Sequence, residues 1–234
     1  MLRAHNIEHR IWQHLAQETK PMTKRLYLQS LADRLEEYEI NVMHDFDSIA
    51  AISEDDKRHF EAMGCSVPIH VMPFGLDVAE LPTASQGPVH YVFHLGAMDW
   101  RPNIQGIRWF ISRIWPMVLQ QVPNVKLCLA GRNFPEDPPW SHTPNLEVLG
   151  EVKNAWDMMT SGGIMIVPLL SGSGMRVKAI EAMAGGRPIV STTIGMEGIP
   201  GKDREHFHLA DTPQEFASRI VELLNSPEEA EAIG

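Results

Sequence analysis

No stretch of this chain stays apolar long enough to cross a bilayer; Gly, Pro or charge interrupts every candidate. The opening residues, Met1-Leu2-Arg3-Ala4-His5-Asn6, lack the apolar core of a secretory signal. A peripheral contact with a membrane needs no span and stays open. Cysteine is scarce, with only Cys65 and Cys128. Both lie among apolar residues and read as reduced core thiols of a cytoplasmic protein. No four-ligand metal pattern occurs. The 11 histidines are scattered, and His206 and His208 read as alternating residues of one strand rather than ligands. Positive charge is short as well: 20 Lys and Arg stand against 30 Asp and Glu, for a net charge of -10. That balance disfavours nucleic acid as a partner. A free nucleotide is different, because one or two local cations and backbone amides suffice to hold it. Internal repeats and low-complexity segments are absent.

What is present is a chain of 234 residues, 44% hydrophobic, enough for one large domain or one domain and part of another. The first third predicts a helix over 8–18, a break at Pro21, and a second helix carrying Leu26, Leu28, Leu31, Leu35 and Tyr38. A strand is expected over 47–52. Ser53, with Asp56 three residues on, caps a helix that Gly64 ends. A short strand follows over 67–72. Pro73, Gly75, Pro82, Ser85, Gly87 and Pro88 then mark a linker, with a domain boundary near residue 86. The units are therefore 1–85 and 86–234.

The second unit alternates. Strands are expected over 89–95, 126–130, 146–149, 163–167, 188–191 and 206–210. Helices are expected over 103–121, 154–160, 175–184 and 213–224. Near-continuous apolar strands between amphipathic helices indicate a buried parallel sheet. Such sheets bind ligands beyond the carboxyl ends of their strands.

Two glycine-bearing loops lie between a strand and a helix. The first is Gly96-Ala97-Met98-Asp99-Trp100-Arg101-Pro102-Asn103, with Pro102 suited to a first helical turn. The second is Pro168-Leu169-Leu170-Ser171-Gly172-Ser173-Gly174-Met175-Arg176-Val177-Lys178. Glycines admit a phosphate close to the backbone, and free amides at a helix start point at it. Arg176 and Lys178 place cations where the helix dipole disfavours them, a conflict that a bound anion resolves. The alternative is a glycine turn with two solvated basic residues. Glu181 follows among small and apolar neighbours, so its carboxylate either faces solvent or holds a specific donor such as a sugar hydroxyl.

The run from Gly172 through Lys178, Glu181 and Gly185-Gly186-Arg187-Pro188 to Thr192 resembles the donor-binding signature of retaining GT-B glycosyltransferases of family 4. Gly195-Met196-Glu197-Gly198-Ile199, Met98-Asp99-Trp100-Arg101-Pro102-Asn103, Ala130-Gly131-Arg132, Leu149-Gly150-Glu151-Val152 and Pro73-Phe74-Gly75-Leu76-Asp77 are similar to that family too. Several such segments in order are far more specific than one glycine motif. The resemblance implies a GT-B type α/β fold. Residues 86–234 would be a Rossmann-like, nucleotide-sugar-binding domain, and 1–85 the tail of an acceptor-binding domain whose first strands are absent. The chain is then expected to be a fragment or truncation.

By the same resemblance, Glu181 accepts from the ribose hydroxyls. Gly174 and Met175 offer amides to the diphosphate, and Gly96 approaches it. Arg132, Gly150 and Val152 flank the base, and His5 lies near the transferred sugar. Two departures stand out. Ser173 takes the place of the first motif glutamate, and the usual Arg and Lys of the first loop are matched only by Arg101. Arg176 or Lys178 would then supply the phosphate charge. The expected partners are a nucleoside diphosphate sugar and a glycan or lipid-linked acceptor, with no metal or other cofactor. The implied activity is retaining transfer in cell-surface polysaccharide or lipopolysaccharide synthesis, at the inner face of the membrane. An epimerase of the same fold and a non-catalytic nucleotide-binding protein are the alternatives. Asp99 is balanced between capping the next helix and touching ligand. Trp100, Trp109, Trp115, Met158, Met159, Met165, Met175 and Met183 read as packing residues.

Overall fold

The computed structural model describes residues 1–77, 89–135, 138, 140–172 and 174–234. Most of the expected linker, the boundary near residue 86 and Ser173 lie outside them. The chain forms two compact units. One comprises Met1–Gly75 with Ser171–Arg176 and Glu197–Ile199; the other comprises Leu76–Leu170, Val177–Met196 and Pro200–Gly234.

The first unit holds a three-stranded parallel sheet in the order β1 (Leu2–Arg3), β2 (Ile49–Ala51), β3 (Ile69–Val71). Ile7, Met43, Ile49, Ala51 and Phe60 form its core. Helices α1 (Glu8–Glu18) and α2 (Met22–Val42) flank Pro21, which is the N-cap of α2. The N-cap of α1, Ile7, has no side chain to satisfy the free amides. Glu39 of α2 does so instead, accepting from the amides of Glu8 at 2.9 Å and His9 at 3.2 Å. Helix α3 (Glu54–Ala62) starts as expected at Ser53, whose hydroxyl accepts from the Asp56 amide. It stops at Gly64, which sits at φ +86°.

The second unit is built on six parallel strands: β4 (Tyr91–Leu95), β5 (Lys126–Ala130), β6 (Leu146–Gly150), β7 (Gly163–Val167), β8 (Ile189–Ser191) and β9 (His208–Leu209). Their spatial order is β6-β5-β4-β7-β8-β9. The order reverses between β4 and β7, the position at which doubly wound sheets open a ligand crevice. Val92, Leu127, Leu129, Ile164, Ile166 and Val190 from the strands meet Phe110, Trp115, Phe216 and Ile220 from the helices in one core. Helix α8 (Pro213–Asn225) begins with a full capping box between Thr212 and Glu215. The remaining helices are α6 (Trp156–Met159), α7 (Val177–Ala184) and α9 (Pro227–Ile233).

The single helix expected over 103–121 is instead α4 (Arg101–Trp109), a π turn over Phe110–Ile114, and α5 (Trp115–Gln121). Pro116 sits in the first turn of α5. Proline cannot donate, and its ring crowds the carbonyl four residues back. The widened turn, in which the Trp115 amide bonds to the Phe110 carbonyl, accommodates it. The strand expected over 206–210 is confined to His208–Leu209, and His206 is exposed outside it. Met175 and Met183 are only half-buried, unlike Met158, Met159 and Met165. Both cysteines are free thiols. Among the described residues no helix is long and apolar enough to cross a membrane.

Candidate functional site

In the second unit, glycines end three adjacent strands and are laced together. The Gly96 amide donates to the Ala130 carbonyl at 2.9 Å, the Gly131 amide to the Gly150 carbonyl at 2.8 Å, and the Met98 amide to the Arg132 carbonyl at 2.8 Å. Gly131 stands at φ +145°, and a Cβ there would meet the Gly96 carbonyl oxygen at 1.9 Å. A Cβ on Gly96 would meet the Asn103 amide nitrogen at 2.6 Å and His94 Nε2 at 2.7 Å. Gly150 has open space around it and is glycine for its backbone, at φ +65°. Gly96, Arg132 and Gly150, all expected at the site from sequence, do meet at one end of the sheet. The Gly96 amide is already bonded to Ala130, and the side on which a Cβ would stand is filled by Asn103 and His94.

Arg101 opens α4, and Arg132 follows β5; both side chains are exposed. Val152 lies half-buried after β6. Asp99 does not cap α4. The N-cap is Trp100, whose side chain does not cap the helix, and Asp99 accepts from Asn133 Nδ2 at 2.7 Å. Asn103 holds the loop by donating to the Ala97 carbonyl at 2.9 Å.

Beneath this loop lies His94, a residue that no sequence motif singles out. It is buried, and its Nδ1 is 3.1 Å from the Ile166 carbonyl, which can only accept. The proton is thus on Nδ1, and Nε2 presents a lone pair with no hydrogen-bond partner among the described residues. Burial pushes the pKa of His94 down to about 4, against a smaller opposing effect of the Ile166 carbonyl.

Helix α7 carries Lys178 and Glu181, whose charged ends lie 2.9 Å apart. Lys178 is exposed, while Glu181 is largely covered. The cation closest along the helix to Glu181 is therefore paired with it.

In the first unit, Gly174 packs on the residues just after β1. Gly172 and Gly174 adopt φ of +125° and +81°. A Cβ on Gly174 would meet Asn6 Oδ1 at 2.1 Å and the His5 carbonyl at 3.4 Å. His5, Gly174 and Arg176 are thus brought together, with the His5 side chain exposed. Met175 lies half-buried beside them in the chain. The Arg176 guanidinium donates to the Gly174 carbonyl. Burial lowers its pKa to about 10, opposed by the charge of Glu197.

Glu197, part of the Gly195–Ile199 resemblance but without a role there, pairs with Arg10 of α1 at 3.7 Å. Arg10 in turn lies 3.5 Å from Asp55 of α3. Nothing in the sequence of α1 distinguishes Arg10 from an ordinary solvated arginine. The signal appears only when residues 197–199 join the unit.

A model described as glycosyl transferases group 1 matches residues 89–226. The chain belongs to the group 1 glycosyltransferases. It is similar to a 44.6 kDa uncharacterized protein in the cps region of Klebsiella pneumoniae, at 27% identity over 94% of this chain and 58% of that protein. The chain thus spans little more than half the length of this curated relative. Among solved structures of the fold, the Anabaena HepE protein in complex with UDP and glucose superposes with a TM-score of 0.72 at 14% identity, over 99% of this chain and 63% of that one. A mutant of S. aureus TarM, in complex with fondaparinux, alpha-GlcNAc-glycerol and UDP, gives 0.69 at 16% identity, over 86% and 41%. The parallel α/β architecture and the GT-B type expected from sequence stand.

Proposed function

We propose that this group 1 glycosyltransferase chain binds a nucleoside diphosphate sugar and transfers the sugar, with retention at the anomeric carbon, to a glycan or lipid-linked acceptor. The observation that carries the reading is the pair of glycine-shaped loops. One is the laced tier at Gly96, Gly131 and Gly150; the other is the left-handed turn at Gly172 and Gly174 that runs into α7. The second of these leads into the start of α7, and free amides at a helix start suit a phosphate.

The chemistry required is stabilisation of a departing diphosphate. Amides at Gly174 and Met175 and the Arg176 guanidinium meet its charge. Glu181 takes the ribose hydroxyls, and its pairing with Lys178 keeps the carboxylate in place until then. Arg132, Gly150 and Val152 flank the base, Gly96 approaches the phosphates, and Arg101 adds charge near them. His5 serves the transferred sugar. Ser173, where family members carry a glutamate, leaves a hydroxyl in place of a carboxylate. Transfer of this kind needs no metal.

UDP in the HepE and TarM complexes supports a uridine nucleotide as the first donor to test. The cps-region relative fits synthesis of a cell-surface polysaccharide, carried out in the cytoplasm against the inner face of the membrane. The test is calorimetric titration of the chain with UDP, GDP, TDP and ADP and their sugar conjugates. One nucleotide should saturate the chain, and Glu181→Ala and Arg176→Ala should each weaken it at least tenfold. Equal affinity in both variants would remove these residues from the donor site.

A further inference from the structure

At the far edge of the six-stranded sheet, His208 of β9 faces Glu222 of α8 and Glu229 of α9. The imidazole is fully buried, yet neither ring nitrogen has a hydrogen-bond partner among the described residues. A buried polar group left in that condition is uncommon and calls for an explanation. Nε2 lies 3.4 Å from Glu229 Oε1. A good imidazole–carboxylate hydrogen bond is shorter, about 2.7–2.9 Å. Two ligands of one tetrahedral zinc, each about 2.0–2.2 Å from the metal, are separated by roughly 3.4 Å.

One potential ligand atom from each of His208, Glu222 and Glu229 lies within 4.8 Å of the other two. Glu222 and Glu229 are about a third exposed, so their carboxylates can swing by the roughly 1 Å that coordination requires and leave a position for water. Arg219 donates to Glu222 Oε2 at 2.8 Å. That bond orients the carboxylate from behind, in the manner of an outer-shell partner, and leaves its other oxygen for an ion.

We propose that His208, Glu222 and Glu229 form a site for a divalent transition-metal ion, zinc first among them, that ties β9, α8 and α9 together. One imidazole and two carboxylates match the borderline and hard ligand preferences of zinc and manganese, and their two negative charges balance the ion. None of the three residues belongs to the glycine loops assigned to the nucleotide, so the site is structural and independent of that reading. Its test does not depend on donor binding.

The chain, dialysed against EDTA, is titrated calorimetrically with ZnCl2 and separately with MnCl2, and its thermal melt is followed with and without each ion. One equivalent should bind and the Tm should rise. His208→Gln and Glu229→Gln should each weaken binding at least tenfold, whereas His206→Ala, at an exposed histidine nearby, should leave it unchanged. Absence of saturable binding and of any Tm shift overturns the proposal. So does binding that survives His208→Gln, as uptake by the thiol of Cys65 would. Should His208→Gln fail to fold, Glu222→Gln and Glu229→Gln at the surface carry the decision, and undiminished binding in both overturns it.

Discussion

Gly131 presses its α-carbon against the carbonyl of Gly96, leaving 1.9 Å between that oxygen and the place a methyl would occupy. Neither loop can retreat, because each donates a backbone hydrogen bond to its neighbour. Gly131→Ala adds a steric clash to a backbone angle that side chains avoid, and should cost on the order of 3 kcal/mol in urea unfolding. Gly150→Ala, in open space, should cost only about 1–2 kcal/mol through its φ. Equal costs at the two positions would mean that the contact between loops does not matter.

Acid should act on the fold through His94. The unfolded side chain takes up its proton near 6.5, the folded one only near 4. Between these values the unfolded chain binds more protons, so stability rises with pH. The contribution is complete above about pH 6.5 and is lost as pH falls toward 4. At about 1.4 kcal/mol per unit it amounts to ~3 kcal/mol. His94→Gln should flatten that limb of the stability profile. Parallel profiles for the variant and the parent would place the acid sensitivity elsewhere.

Arg10 is held between Asp55 and Glu197, and Glu197 also faces the buried guanidinium of Arg176. Removing the carboxylate takes a counter-charge from both cations, so Glu197→Gln should destabilise by ~1–2 kcal/mol. A double-mutant cycle with Arg10→Met should give a coupling of about 1 kcal/mol. A coupling near zero would show the pair to be incidental.

The start of α8 offers a local check on the fold. Thr212 and Glu215 exchange bonds there. Thr212→Ala should cost about 1 kcal/mol, and Thr212→Ser should keep most of that stability. Matching losses for Ala and Ser would assign the effect to the methyl rather than the cap.

Much of this is legible from residue order. The helix over 8–18, the strands over 126–130 and 163–167 and the Ser53 cap fall where the pattern puts them, because period and capping are local. The break at Phe110–Ile114 is not, although Pro116 is in plain view; a proline in a helical pattern marks a disturbance without saying whether the helix ends or widens. Helix α9 is short and follows α8 directly, so its acidic, alanine-rich residues read as a trailing end. The glycines of the candidate site are legible as glycines. That Gly96 is crowded by Asn103 and His94, while Gly150 is glycine for its backbone angle alone, shows only once the chain is folded. Glu197 and Arg10 stand at opposite ends of the sequence, and His208 reads as an ordinary strand residue until α8 and α9 fold over it.

The first unit is assembled from three separate stretches of chain, the last of them Glu197–Ile199. A ribosome delivers Arg10 early and its Glu197 partner only after most of the second sheet has emerged. Until then Arg10 has Asp55 alone, and Asn6 has no Gly174 beside it. Joining ends so distant carries a loop-closure entropy that local helices do not face. The loop that reads as phosphate-binding is therefore among the last parts of its unit to be set in place during synthesis.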